Sequence, residues 1–438
     1  MLEKLKSFNF FYLIRHKSLH NFIFLFIIQS SNVLISLISM PLLIQALGVD
    51  QFGLVNLALS VTFLANVGVS FGYNLSGPRE IAINQENKSA MSAVASKVFF
   101  SKVLLALSAC IIIMILVFGF DFFSEYQVIL VFSLLLLFSE ATASTWFFQG
   151  LEKMRMASVA NVISKVLYLL ALILFINQPD DAKWVNLLLG ITALGVNLLL
   201  LSYIHHELEI KIFLPKMGEV ILSWKENFTL FLSTIGSHIS VHGGLIILSF
   251  FASASILGMY SMAERISMVL RMAPTLIAQA VYPNASKLYQ YDIHLFYGFM
   301  KKIYWGALGI SLFITLFVLI FAPGIIRIIS RNEFESSIQF LRILSFVPFL
   351  ASLNMANMIM ILVADQKNTL LNTTWIMCCY MVIAASVLTY LFGGKGLAYS
   401  LLSMELIIFA VCSVLIRKKS PEIFNGFYRR AFGSHYSR

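Results

Sequence analysis

The stretch NFIFLFIIQSSNVLISLISMPLLIQAL, Asn21–Leu47, decides the fold class. Its 27 residues contain no charged side chain. An α-helix needs about 20 residues to cross the hydrocarbon core of a bilayer, so this run is long enough to span it. It is too long for the apolar core of a signal peptide and lacks a small-residue cleavage site, so it reads as a first membrane helix. Runs of the same kind follow at 52–72, 93–119, 127–149, 157–177 and 184–204, and again at 227–251, 256–282, 303–326, 337–364, 370–391 and 397–416. That makes twelve.

Composition agrees. Of 438 residues, 59% are hydrophobic and only 12% charged, and the mean hydropathy is +0.86. Soluble domains carry about 25% charged residues, so a water-facing globule, a disordered chain and a disulfide scaffold are all excluded. Cys110, Cys378, Cys379 and Cys412 lie inside apolar runs, without metal-ligand spacing. The expected fold is all-α: a polytopic membrane protein of about twelve helices in two six-helix lobes around a central cavity. Spans one to six fall in residues 1–204 and spans seven to twelve in 226–417. A polar cytoplasmic connector, 205–225, joins them, and a basic cytoplasmic tail covers 418–438.

Basic residues sort by side. The segments that twelve spans place inside hold 21 of the 31 lysines and arginines, and the outer loops hold four: Lys183, Arg327, Arg331 and Lys395. The positive-inside rule then puts both termini in the cytoplasm. It also accounts for the net charge of +10 without nucleic acid. The tail, with Lys418, Lys419, Arg429 and Arg430 among Phe424, Phe427 and Tyr428, is expected to touch anionic membrane lipid.

A weak internal repeat supports two halves. FGLVNLALSV from Phe52 faces LGMYSMAERI from Leu257, aligning Gly53 with Gly258; QGLEKMRMASVANVISK from Gln149 faces VADQKNTLLNTTWIM from Val363. Halves with the same helix direction are one arrangement of secondary transporters. Pro41, Gly68, Gly72, Pro274, Pro283 and Pro348 are candidate bends.

Catalytic signatures are missing. GGKG at Gly393 lacks the spacing and the Ser/Thr of a phosphate-binding loop, and no HExxH or Gly-x-Ser-x-Gly stands where it could act. The expectation is a protein that is not an enzyme and needs no cofactor. His238 and His242 share a helical face beside Gly243 and Gly244 and are too few for a metal site; the plain reading is a polar, close-packed face lining an aqueous cavity, with a protonatable pair as the functional alternative.

The informative residues are ionisable groups within spans: Lys97, Lys102, Lys165, Arg265, Arg271 and Arg342 against Glu140, Glu264 and Glu405. Each costs about 2.5–3.5 kcal/mol at a helix centre and should face a wet cavity or a partner. Lys97 and Arg342 lie near span ends and can snorkel. Arg265 shares its face with Met268 and Met272, Arg271 with Ser267 and Thr275, so spacing alone does not say which is wet. Six bases against three acids give a positive interior, suited to phosphate or pyrophosphate. Trp146, Phe147, Phe148, Tyr260 and Tyr282 can stack on sugar rings or form interfacial belts.

ALGVDQFGLVNLALS (Ala46–Ser60), FGYNLSGPREIA (Phe71–Ala82), WFFQGLEKM (Trp146–Met154) and MYSMAERISMVLRMAPTLIAQAVYPNAS (Met259–Ser286) together resemble the Wzx-type O-antigen and polysaccharide flippases. These belong to the multidrug/oligosaccharidyl-lipid/polysaccharide exporter superfamily. The resemblance implies an alternating-access flippase that moves an undecaprenyl-pyrophosphate-linked oligosaccharide to the periplasmic leaflet of a bacterial inner membrane. It also implies an O-antigen polymerase and chain-length machinery as partners. Arg79 and Glu80 match the family's Arg-Glu after span two, Glu264 and Arg265 its span-eight pair, and Glu405 a carboxylate of span twelve. Gln29, Ser30, Ser31 and Asn32 are neutral where the lipid II flippase class carries charge. The candidate substrate contacts are Arg265, Arg271, Lys102, Arg79 and Lys165. The candidates for proton or ion coupling are Glu264, Glu140, Glu405, His238 and His242. The alternatives are a drug exporter of the same fold, whose cavity would be neutral or acidic, and an O-antigen polymerase, which needs a long external loop.

Overall fold

The computed structural model describes residues 17–119, 121–331 and 334–433. Among them are sixteen α-helices and no strand. The N-terminal Lys4, Lys6 and Arg15 lie outside the described residues.

The first helix, α1 (Lys17–Ser70), runs through the first two expected spans and is divided at Gly48, whose backbone (φ 79°, ψ 170°) is not helical. Phe71 (φ 41°) and Gly72 (φ 81°) then turn the chain into α2 (Tyr73–Ile83). Gly72 is required twice over. Its φ is left-handed, and a Cβ there would lie 2.8 Å from the Leu230 side chain. Next come α3 (Lys88–Gly119) and a span broken into α4 (Gln127–Ser133), α5 (Leu135–Thr142) and α6 (Thr145–Gly150). They are followed by α7 (Met154–Phe175) and α8 (Ala182–His206). The breaks in the fourth span free backbone carbonyls that hydrocarbon cannot satisfy. Protein groups do so instead: Asn197 Nδ2 donates to Ser139 O at 2.8 Å and Thr142 Oγ1 to Phe138 O at 2.9 Å.

The remaining helices are α9 (Met217–Ser249), α10 (Ala254–Tyr291), α11 (Ile293–Ser330), α12 (Glu335–Leu344), α13 (Val347–Val363), α14 (Lys367–Phe392), α15 (Gly394–Lys419) and α16 (Pro421–Phe432). Ten helical segments are long and apolar enough to cross a membrane. The difference from twelve has a physical source. One of the ten holds both expected spans of α1, and α10, with Glu264, Arg265 and Arg271 in its length, is too polar to be counted. Of the expected bends, Gly72 sits at a break and Pro348 in the first turn of α13, whereas Pro41, Pro274 and Pro283 lie inside continuous helices.

The chain divides into two units. The first comprises the chain to Gly48 and Leu54–Ile235; the second comprises Val49–Gly53 and Gly236–Arg438. In the first, Tyr73, Trp146, Phe147, Phe148, Met154, Ile204 and Ile210 form a buried cluster. Trp146 and Phe147 meet edge to face at 5.8 Å, and Tyr73 Oη lies 2.9 Å from Ser223 Oγ. This corrects the reading of Trp146, Phe147 and Phe148 as sugar platforms or an interfacial belt. Together with Tyr260 of the second unit they are core residues, none more than 7% exposed.

Two further segments are packed onto the units. The expected connector, 205–225, is tied to α3. Lys211 N and Phe213 N donate to Ser92 and Ser96 of α3, each at 3.0 Å, Ile210 is buried, and α9 begins at Met217. The tail, as far as Phe432, is a docked helix. Ile423, Phe427 and Ala431 recur every four residues and are buried, as an amphipathic helix demands. Phe427 meets Tyr304 of α11 edge to face at 5.6 Å, Trp305 Nε1 donates to Ala431 O at 3.2 Å, and Tyr428 Oη to Asn357 Oδ1 at 3.0 Å. Arg417, Lys418, Lys419, Arg429 and Arg430 stay exposed.

Candidate functional site

The charged residues within the spans fall into one set in each unit. In the first, α3 carries Lys102, whose side chain is 0% exposed, with its ammonium 3.3 Å from Glu140 Oε1 on α5. The same carboxylate oxygen accepts from Ser70 Oγ at 2.6 Å, and Asn74 Nδ2 donates to Ser70 at 3.3 Å. Two helix interruptions converge on this pair: Ser70 is the last residue of α1 before the Phe71–Gly72 turn, and Glu140 lies one turn before the extended backbone of Ala143. A buried ammonium needs such a partner, because removing water from it costs several kcal/mol. Lys102 is therefore a buried ammonium paired with Glu140.

Arg79 is exposed on α2, and its neighbour Glu80 pairs with Lys97 at 3.0 Å. Lys97 thus ends in an ion pair, while Arg342 is exposed. Lys165 is half-buried on α7, with no carboxylate at ion-pair distance among the described residues. Outside the expected spans, Lys88 pairs with Glu209 and holds that carboxyl below the usual carboxylate range.

In the second unit α10 carries the denser set. Arg271 Nη2 lies 2.5 Å from Glu405 Oε1 on α15, with side-chain exposures of 29% and 4%. Arg265 and Glu264 are half-buried, one turn beyond the fully buried Tyr260. The Arg265 guanidinium carbon stands 5.6 Å from the centre of the Phe52 ring. Sequence spacing had left the partners of both arginines open: Arg271 is ion-paired to α15, and Arg265 meets Phe52 of α1. His238 and His242 on α9 stack with ring centroids 5.8 Å apart. His238 is exposed and His242 half-buried.

Ser70 and Phe52 were not among the residues the sequence singled out for charge. A serine at the end of an apolar run gives no signal, but Phe52 stands beside Gly53 in the repeat and was legible there.

Residues 18–289 match the profile of a family described as "Polysaccharide biosynthesis protein". The chain belongs to this family. The matched stretch includes Lys102, Glu140, Lys165, Glu264, Arg265 and Arg271. Two relatives, each named "Putative O-antigen transporter", come from Shigella dysenteriae and Escherichia coli K12. The first is 25% identical over 398 residues, covering 89% of this chain and 97% of the relative. The second is 24% identical, covering 91% and 96%. Among solved structures, an inward-facing multidrug resistance MATE family transporter of the MOP superfamily superposes with a TM-score of 0.68 at 15% identity, over 89% of this chain and 98% of its own. The lipid II flippase MurJ does so with 0.64 at 13%, over 94% and 90%. At these identities the structural likeness establishes the fold alone, that of a polytopic helical membrane protein.

Proposed function

We propose that this protein is a flippase for a lipid-linked oligosaccharide. Its cargo is an undecaprenyl-pyrophosphate-linked repeat unit, carried by alternating access of two six-span halves from the cytoplasmic to the periplasmic leaflet of the bacterial inner membrane. Both termini face the cytoplasm. The observation that carries the reading is Arg265, a half-buried guanidinium on α10, the eighth expected span, within the stretch the family profile matches. A guanidinium is too costly in hydrocarbon to be held there idle, and its planar fork suits phosphate oxygens. Arg265 contacts the anionic head group. Arg271, Lys102, Arg79 and Lys165 are the weaker candidate contacts and add positive potential. Glu140, Glu264, Glu405 and the His238–His242 pair are the groups from which ion coupling is drawn. The polymerase and chain-length machinery that use the flipped product are its functional partners.

The test is surface polysaccharide in a strain whose only flippase is this chain. Arg265→Ala should abolish display, and Arg265→Lys should retain part of it, at unchanged membrane levels of protein. Full display by Arg265→Ala would refute the assignment of the head-group contact.

A further inference from the structure

The Val49–Gly53 segment belongs to the second unit although it lies in α1. Two glycines explain why. A Cβ on Gly53 would overlap the Ala254 carbonyl oxygen and lie 2.5 Å from Gly258 N. A Cβ on Gly258 would overlap the Val49 carbonyl and lie 2.8 Å from the Val49 side chain. The backbones therefore touch at residues 53 and 258, the two positions that the internal repeat aligns. Phe52 immediately precedes this contact and is 0% exposed. The close approach at Gly258 sets its ring against the part of α10 that carries Arg265 two turns further on, with the guanidinium carbon 5.6 Å from the ring centre.

We propose that Phe52 is the positioning residue for Arg265: its ring, seated by the Gly53–Gly258 contact, holds the guanidinium in place to bind a pyrophosphate head group. An arginine over an aromatic face is attracted by the ring quadrupole, and the attraction strengthens away from water. An aromatic ring meets the face of a guanidinium, whereas phosphate oxygens bind N–H groups along its edge, so the two kinds of contact are compatible. Long side chains lose rotamer freedom on binding, so an arginine already held in place binds its anion at a smaller entropic cost. The ring contributes no hydrogen bond to the ligand. Its effect on binding passes through Arg265.

This inference rests on the proposed head-group contact of Arg265, and the experiment separates the two. The full chain is purified in detergent and titrated with farnesyl pyrophosphate, which shares the lipid-linked pyrophosphate of the proposed cargo without its sugars. Phe52→Leu and Phe52→Met keep an apolar filler without a ring; Phe52→Tyr keeps the ring. Each of the first two should weaken binding about five- to thirtyfold, and Phe52→Tyr should bind as the parent does. In an Arg265→Ala background, Phe52→Leu should have no further effect, the non-additivity expected of two residues acting as one. The proposal is overturned if Phe52→Leu or Phe52→Met binds as the parent does. It is also overturned if Phe52→Leu costs the same with and without Arg265, since a merely structural role would give that result. If Arg265→Ala itself binds as the parent does, the head-group assignment has failed, and this inference with it.

Discussion

Arg271 Nη2 on α10 lies 2.5 Å from Glu405 Oε1 on α15, and Glu405 is all but sealed from its surroundings. The pair links the helix of the proposed head-group contact to a helix more than a hundred residues further along the chain. Breaking one partner of a buried pair costs about 3–5 kcal/mol, because the other charge is left without compensation. Arg271 retains some exposure, which places its pair on the low side of that range.

Glu405→Gln and Arg271→Ala should each lower the thermal unfolding midpoint of the detergent-purified protein, with Arg271→Ala the worse because it strands the more buried charge. Arg271→Met with Glu405→Leu should recover most of the loss. A double variant no better than the sum of the singles would show that the two residues do not act as a pair.

The same logic applies to the first unit with a stricter partner. Lys102 has no exposure and Glu140 some, so Glu140→Ala, which leaves the ammonium buried alone, should destabilise more than Lys102→Met. Ser70→Ala removes one hydrogen bond to the carboxylate and should cost about 1–3 kcal/mol. Thermal melts of the three variants check the order, and equal losses would contradict it.

Glycine positions offer a contrast within one helix. Gly53→Ala drives a methyl group into the Ala254 carbonyl, whereas Gly68, also on α1, has open space where its Cβ would be. Gly53→Ala should sharply reduce the folded protein recovered from membranes. Gly68→Ala should be neutral or stabilising by up to about 1 kcal/mol. Folded yield by size-exclusion chromatography tests both, and a well-folded Gly53→Ala would refute the backbone contact.

These comparisons show what the sequence made legible. Helix class and span positions followed from apolar run length, which one sequence records directly. The alignment of Gly53 with Gly258 marked an internal repeat and gave no sign that the two backbones meet. The partners of Lys102 and Arg271 were beyond reach, because Glu140 and Glu405 come from other helices and helical spacing describes one helix at a time. The burial of Trp146, Phe147 and Phe148 was hidden for a related reason. An aromatic run at a span end looks alike whether it meets lipid or the breaks of its own span.

The tail illustrates the same limit and gives a pH dependence. Its Phe427, one of the aromatics among the tail's basic residues, is buried against Tyr304 in the second unit. Phe427→Ala should cost about 3–5 kcal/mol of docking and expose α16 to proteolysis; Tyr428→Phe should cost about 1 kcal/mol. Burial pushes the Tyr428 phenol above its ordinary value of 10.0, so the docked state favours the neutral phenol. The stabilisation is complete below pH 10 and is lost as pH rises through the folded value. Proteolysis of α16 should therefore be flat with pH through neutrality and increase only in strong alkali. An increase near pH 7 would contradict this.

The central claim is movement of a lipid-linked oligosaccharide, and reconstitution measures it most directly. Proteoliposomes containing the chain are loaded in both leaflets with an undecaprenyl-pyrophosphate-linked oligosaccharide, and the inner pool is followed by its accessibility to an external lectin. The account predicts that the inner pool becomes accessible with the wild-type chain, and that with Arg265→Ala it stays protected as in empty liposomes. An inner pool equally protected with the wild-type chain and with no protein would contradict it.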